Sequence, residues 1–119
     1  MDLREQRFGI EIEMTGITRE KAAEVTAEYF GTRTHYVGTY YDTYAAIDNQ
    51  GRQWKFMSDA SITAQRKVDG RRVNAGNEYR TEMVSPICTY EDIVPIQEII
   101  RKLKEYGAIT NKSCGIQIG

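Results

Sequence analysis

The sequence predicts an α+β domain: a mostly antiparallel, curved sheet with two helices packed on one face and the other face open. Three observations lead there. Residues 8–14, Phe-Gly-Ile-Glu-Ile-Glu-Met, place apolar side chains at every second position, which is a strand signal. Residues 19–30 and 90–106 carry apolar side chains at three-to-four spacing, the mark of amphipathic helices. Between those helices, Asn49-Gln50-Gly51 and Asp69-Gly70 are turn signals flanked by strand-type segments, so hairpins dominate.

The elements follow in order. After the first strand, Thr15-Gly16-Ile17 turns the chain and Thr18 is placed to cap a helix over 19–30. Ala22, Val25 and Tyr29 form its stripe, and Gly31 ends it. A strand is expected at 35–38, then a hairpin of 42–48 with 52–57. A second hairpin closes through Val68-Asp69-Gly70-Arg71, where Asp-Gly is the favoured pair of a two-residue type I′ turn. A loop at 74–77 leads to a strand at 78–84, which Ser85-Pro86 terminates. In the helix over 90–106, Ile93, Ile96, Ile100 and Leu103 line one face, with Ile99 and Tyr106 near its edge. Asp92 as N-cap would put Pro95 in the first turn, where its missing N–H is no loss. Short strands at 108–110 and 114–118 complete an order close to β-α-β-β-β-β-β-α-β-β.

Composition narrows the function classes. The 119 residues make one domain, residues 1–119, with 28% charged and 40% hydrophobic side chains, as in ordinary soluble proteins. A net charge of −1 argues against a nucleic-acid or membrane-surface binder, which carries a basic excess. No apolar run approaches the roughly 20 residues of a membrane helix, and the first seven residues hold no hydrophobic signal core. A cytoplasmic location with reduced thiols is the expectation. Cys88 and Cys114 make neither a disulfide framework nor a metal cluster, and a single His35 excludes a histidine triad. Cys88 reads as a small core residue. Five of the eight tyrosines (Tyr29, Tyr36, Tyr40, Tyr41, Tyr44) fall close together and suit a half-buried sheet face or the wall of a cleft.

The carboxylates carry the chemistry. Glu11 and Glu13 leave one face of the first strand, roughly 7 Å apart. Glutamate is depleted in strands and like charges on one face repel. A bound divalent cation would offset that cost, because hard cations take carboxylate oxygens. An edge strand with a solvated outer face is the structural alternative. Asp59, at a strand end, is a third carboxylate, or a turn cap. Glu82 lies within a strand two positions from Arg80, with which it could form a weak surface pair. Carboxylates from two strands would make a hard-cation site on an open sheet face. Lys55, Arg66, Lys67, Arg71, Arg72 and Arg80 supply positive charge nearby, although Arg71-Arg72 flanks a hairpin tip and reads as a solvated loop.

Four stretches then match one known family in order. They are Phe8-Gly9-Ile10-Glu11-Ile12-Glu13, Trp54…Asp59-Ala60-Ser61-Ile62, Glu82-Met83-Val84-Ser85-Pro86 and Gly107-Ala108…Asn111…Ser113-Cys114-Gly115-Ile116. Together they resemble the amidoligases, carboxylate–amine ligases similar in fold to glutamine synthetase and glutamate–cysteine ligase. The resemblance implies a bowl of antiparallel strands that binds ATP and magnesium inside and carries helices outside. It implies Glu11, Glu13 and Glu82 as metal ligands, and Asp59 and Arg80 as catalytic residues. Lys55 and Arg80 would bind the nucleotide, with carboxylate and amine compounds, small or peptide, as substrates. Gln117 and Gly119 stand where the family carries two histidines, and the family's domain is longer. The chain is therefore expected to match the amino-terminal half of a glutamine synthetase-like domain. Two readings follow: an ATP- and magnesium-dependent carboxylate–amine ligase or a remnant of one, or a non-catalytic module. That module would bind a protein partner, or its own copy, through exposed strand edges.

Overall fold

Alternation along the first strand decides which way the sheet faces. In β1 (Ile10–Met14), Ile10, Ile12 and Met14 are buried while Glu11 is exposed and Glu13 half-buried. A computed structural model of the chain describes residues 5–119; residues 1–4, part of the leading segment read for a signal core, lie outside the described residues. After β1 come α1 (Arg19–Phe30), β2 (Thr34–Gly38), β3 (Thr43–Ile47), β4 (Gln53–Met57), β5 (Gln65–Val68) and β6 (Arg71–Asn74). The chain then forms β7 (Thr81–Val84), α2 (Ile93–Glu105) and β8 (Ile116–Ile118). Six strands pair antiparallel in the spatial order β2-β3-β4-β7-β1-β8, and β5-β6 forms a separate two-stranded ribbon. The α+β class is as predicted. β1 lies between β7 and β8, so the solvated edge-strand account of its glutamates does not hold.

Both helices cover one face. Thr18 caps α1 by accepting the Lys21 N–H, and Gly31 ends it in the left-handed conformation at φ 69°. Ala22, Ala23 and Ala27 let α1 lie close against Trp54 and Phe56 of β4, which are fully buried with Met83 of β7. α2 packs beside it through Ile96, Ile99 and Leu103. The expected stripe is rotated: Ile99 is fully buried, whereas Ile93 is 36% exposed. A period of 3.6 leaves the rotation open, and α1 decides it, since Tyr29 Oη donates to Glu98 Oε2 at 2.9 Å. A cap also differs. Thr89 and Asp92 form a reciprocal capping box before α2, so Asp92 acts as its third residue and Thr89 is the cap. The segment at 108–110 contributes a single bridge, Ile109 to Thr15, and the start of the 78–84 strand is a 3₁₀ turn, Asn77–Tyr79. The Asp69-Gly70 turn has both φ values positive, 51° and 78°, as type I′ requires. At the sheet edge, Ile116 and Ile118 of β8 are 63% and 69% exposed. No helix among the described residues is long and apolar enough to cross a membrane.

One ionic knot holds the helix layer to the sheet. Arg52 donates from Nε to Asp48 Oδ2 and from Nη2 to Asp92 Oδ1, both at 2.8 Å. Trp54 Nε1 donates to the same Asp48 oxygen at 2.9 Å. Burial pushes the Asp48 carboxyl up, but the Trp54 indole and the Arg52 and Gln50 amides outweigh it and leave it low. The Arg52 guanidinium holds Asp92 low as well. Stability from depressed carboxylates is present above their unfolded pKa and is lost as pH falls through the folded values. Arg52→Leu would leave two buried carboxylates without a counter-charge, and urea unfolding at neutral pH should register a loss of about 3 kcal/mol that shrinks in acid. A loss below about 1 kcal/mol would contradict this assignment.

Candidate functional site

Register brings the predicted carboxylates together on the face that carries no helix. Glu13 pairs directly with Glu82 of β7, and Glu11 stands between Val84 of β7 and Gln117 of β8. One strand further, Lys55 pairs with Val84 and Met57 with Glu82. Directly paired residues project to the same side of an antiparallel sheet. Glu11, Glu13, Glu82, Gln117, Lys55 and Met57 therefore share one face. Asp59 joins from the loop after β4, where its Oδ1 accepts the Ser61 N–H at 2.9 Å and the Ser61 hydroxyl at 2.7 Å. That turn bends Asp59 back over the sheet.

Glu11, Glu13, Asp59, Ser61, Glu82, Gly115 and Gln117 line a pocket of about 260 Å³. Among the described residues no lysine or arginine contributes to its wall. Ser61 Oγ also lies 3.2 Å from Glu13 Oε2, and the Gly115 N–H donates to Glu13 Oε1 at 2.9 Å. The crowding is legible in the protonation equilibria. Burial, then the charges of Asp59, Glu11 and Glu13, raise the Glu82 carboxyl to about 7. Glu13 is raised first by its hydrogen bond with Asp59 and then by burial. Burial pushes Asp59 up, but bonds from Ser61 and Glu13 outweigh it and leave it below the ordinary carboxylate value. Among the described residues no three or more His, Cys, Asp or Glu side chains are already gathered closely enough to hold a metal ion. The four carboxylates share a pocket rather than a finished cage. Its donors are all hard oxygens and its uncompensated charge is negative, which suits a magnesium-like cation.

The other predicted residues fall outside that pocket. Lys55 is half-buried on the same face, about two strand spacings (~10 Å) from Glu11, and has no ion pair among the described residues. Arg80 donates from Nε to the Ile62 carbonyl at 2.7 Å and from Nη1 to Asn77 Oδ1 at 3.1 Å. It anchors the loop that carries Asp59 and forms no ion pair with Glu82. Cys88 is fully buried, as the sequence suggested, and burial raises its thiol. His35 lies on the edge strand β2, opposite Ala45.

Arg19 escaped the sequence reading. It is 4% exposed and donates from Nη1 to the Asn77 and Arg80 carbonyls, both at 2.8 Å, and from Nη2 to Asp42 Oδ2 at 2.9 Å. A cation in the first turn of a helix works against the macrodipole, and that mismatch was the signal available. Ser61 was visible only within the stretch that carries Asp59, and Gln117 only as a replacement for a histidine of the family, with no role given to either side chain.

The raised Glu82 carboxyl has a measurable consequence. Its stabilising contribution is complete below the ordinary value of 4.5 and is lost as pH rises through about 7. Glu82→Gln should flatten that slope and stabilise the chain by about 2 kcal/mol in mildly alkaline urea melts, a figure reduced for partial exposure. Equal slopes for both proteins would refute the carboxylate crowding.

No curated protein and no solved structure matches the chain. The family described as putative amidoligase enzyme matches residues 4–118, nearly the whole length. Its match spans every element from β1 to β8 and all the residues of the acidic pocket. The chain belongs to this amidoligase family.

Proposed function

We propose that the acidic pocket is the metal and nucleotide region of an ATP- and magnesium-dependent carboxylate–amine ligase. The observation that carries this reading is the set of carboxylates Glu11, Glu13, Asp59 and Glu82 around one pocket with no basic wall residue among the described residues. Glu11, Glu13 and Glu82 would hold the magnesium through oxygen. When bound, the ion would neutralise phosphate charge and orient the terminal phosphoryl group. A substrate carboxylate oxygen attacks the terminal phosphorus of ATP, giving an acyl phosphate and releasing ADP. The amine nitrogen then attacks the acyl carbon, expels phosphate and gives up a proton as the amide forms.

The chain's own groups divide this work. Lys55, unpaired on the same face, is suited to hold the phosphates as a point charge. Asp59, outside the three proposed metal ligands and held over the pocket by Ser61, would stand where the amine gives up its proton. Arg80, committed to Ile62 and Asn77, would position the Asp59 loop rather than grip the transferred group. Kinship with half of a glutamine synthetase-like domain belongs to the same proposal.

Calorimetric titration of magnesium-ATP tests the reading. Micromolar binding is expected for the unaltered chain, with a loss of at least about a hundredfold in Glu11→Gln/Glu13→Gln, because two charge-assisted ligands disappear. Lys55→Ala should weaken magnesium-ATP while leaving magnesium alone unchanged. Equal affinity in the glutamine variant would overturn the site assignment.

A further inference from the structure

A second cleft adjoins the acidic pocket and shares Asp59 and Glu82 with it. Its volume is about 670 Å³, and Tyr40, Tyr41, Met57 and Asn77 complete the wall that matters here. Tyr40 is 96% exposed and Tyr41 51%, and their rings meet edge to face at 5.5 Å. Large aromatic side chains left this open contribute little to folding.

The backbone goes to some trouble to present them. Thr39 and Asp42, on either side of the pair, both sit in the left-handed region, at φ 63° and 48°. For residues with a Cβ this costs on the order of 1 kcal/mol each, and such strain persists only where neighbours enforce it. Here they do. Asp42 accepts from Arg19 at 2.9 Å and from the Tyr36 hydroxyl at 2.7 Å, and the Tyr41 carbonyl accepts the Ser58 N–H at 2.9 Å. Arg19 also grips the carbonyl of Asn77 on the other wall, so one buried side chain sets the spacing of the cleft.

We propose that this cleft receives the amine substrate as an organic cation. Ring faces attract cations through the aromatic quadrupole, and a polarisable thioether tolerates apolar substituents beside them. Asp59 adds a carboxylate at the boundary with the acidic pocket, where the ammonium would pass one proton to that carboxylate, and on to water, before its nitrogen meets the activated acyl group. Among the described residues no lysine or arginine lines the cleft, so a cation meets no like charge in its wall. The fate of the bound amine rests on the ligase reading; its binding does not.

The test uses benzylamine as the cationic probe and benzyl alcohol as its neutral counterpart, with amide chemical shifts as the readout and no nucleotide present. Benzylamine should bind about five- to tenfold more tightly than the alcohol and shift residues 40–42 and 57–59. Tyr40→Leu/Tyr41→Leu should lose most of that preference, while its magnesium-ATP isotherm stays unchanged. Equal binding of the two probes, shifts confined to other surfaces, or displacement of benzylamine by AMP would overturn the proposal. Amine binding without magnesium-ATP binding would remove the ligase and keep the cleft; the reverse would keep the ligase and remove the cleft.

Discussion

Two glutamates facing each other across interior strands set the character of this sheet. Glu13 and Glu82 pair directly in the β1–β7 ladder, with Glu11 and Asp59 against the same pocket. Directly opposed like charges weaken a sheet, and partial burial strengthens the repulsion. The chain tolerates this because the opposite face of the same strands supplies the core. Ile12 and Met83, paired one position along, are buried under the helices together with Phe56. A period of two therefore serves both purposes: one set of alternate residues stabilises the fold, and the other concentrates negative charge. The upward shifts of the Glu13 and Glu82 carboxyls, that of Glu82 to about 7, relieve part of the repulsion. A divalent cation would relieve more.

Rigidity around the pocket has a separate source. Arg19 is buried and bridges three segments distant in sequence: the turn at Asp42, the 3₁₀ turn at Asn77, and the approach to β7 at Arg80. Arg80 in turn holds Ile62, and so the loop bearing Asp59 and Ser61. The side chains of Arg19 and Arg80 thus tie together the segments that surround the pocket. A site that must gather carboxylates onto a cation gains from such a frame, because poorly held ligands lose affinity to disorder.

Local pattern made the fold class legible. The alternation over residues 8–14, the Thr18 and Gly31 signals bounding α1, and Asp69-Gly70 each encode a backbone preference that needs no distant partner. Carboxylates projecting to one side of a strand were equally readable. Neighbours were not. That β1 lies inside the sheet depends on β8, which arrives about a hundred residues later in the chain. The rotation of α2 toward Ile99 depends on α1, and the diversion of Arg80 to Ile62 depends on where the Asp59 loop lands. Arg19 was hidden for the same reason: nothing within a turn of it explains a buried cation. Tertiary geometry fixed each of these positions, and composition or periodicity carries no record of it.

On the proposed function, the helix-free face gathers a hard divalent cation. Paramagnetic line broadening by manganese, followed residue by residue in amide spectra, tests it most directly. The Glu11, Glu13, Ser61, Glu82 and Gly115 signals should be lost selectively at low manganese, an effect reversed by magnesium and strengthened as pH rises past 7, where Glu82 gives up its proton. Broadening spread evenly over surface carboxylates such as Glu20, Glu24 and Glu105, with the pocket no more affected than they are, would contradict it.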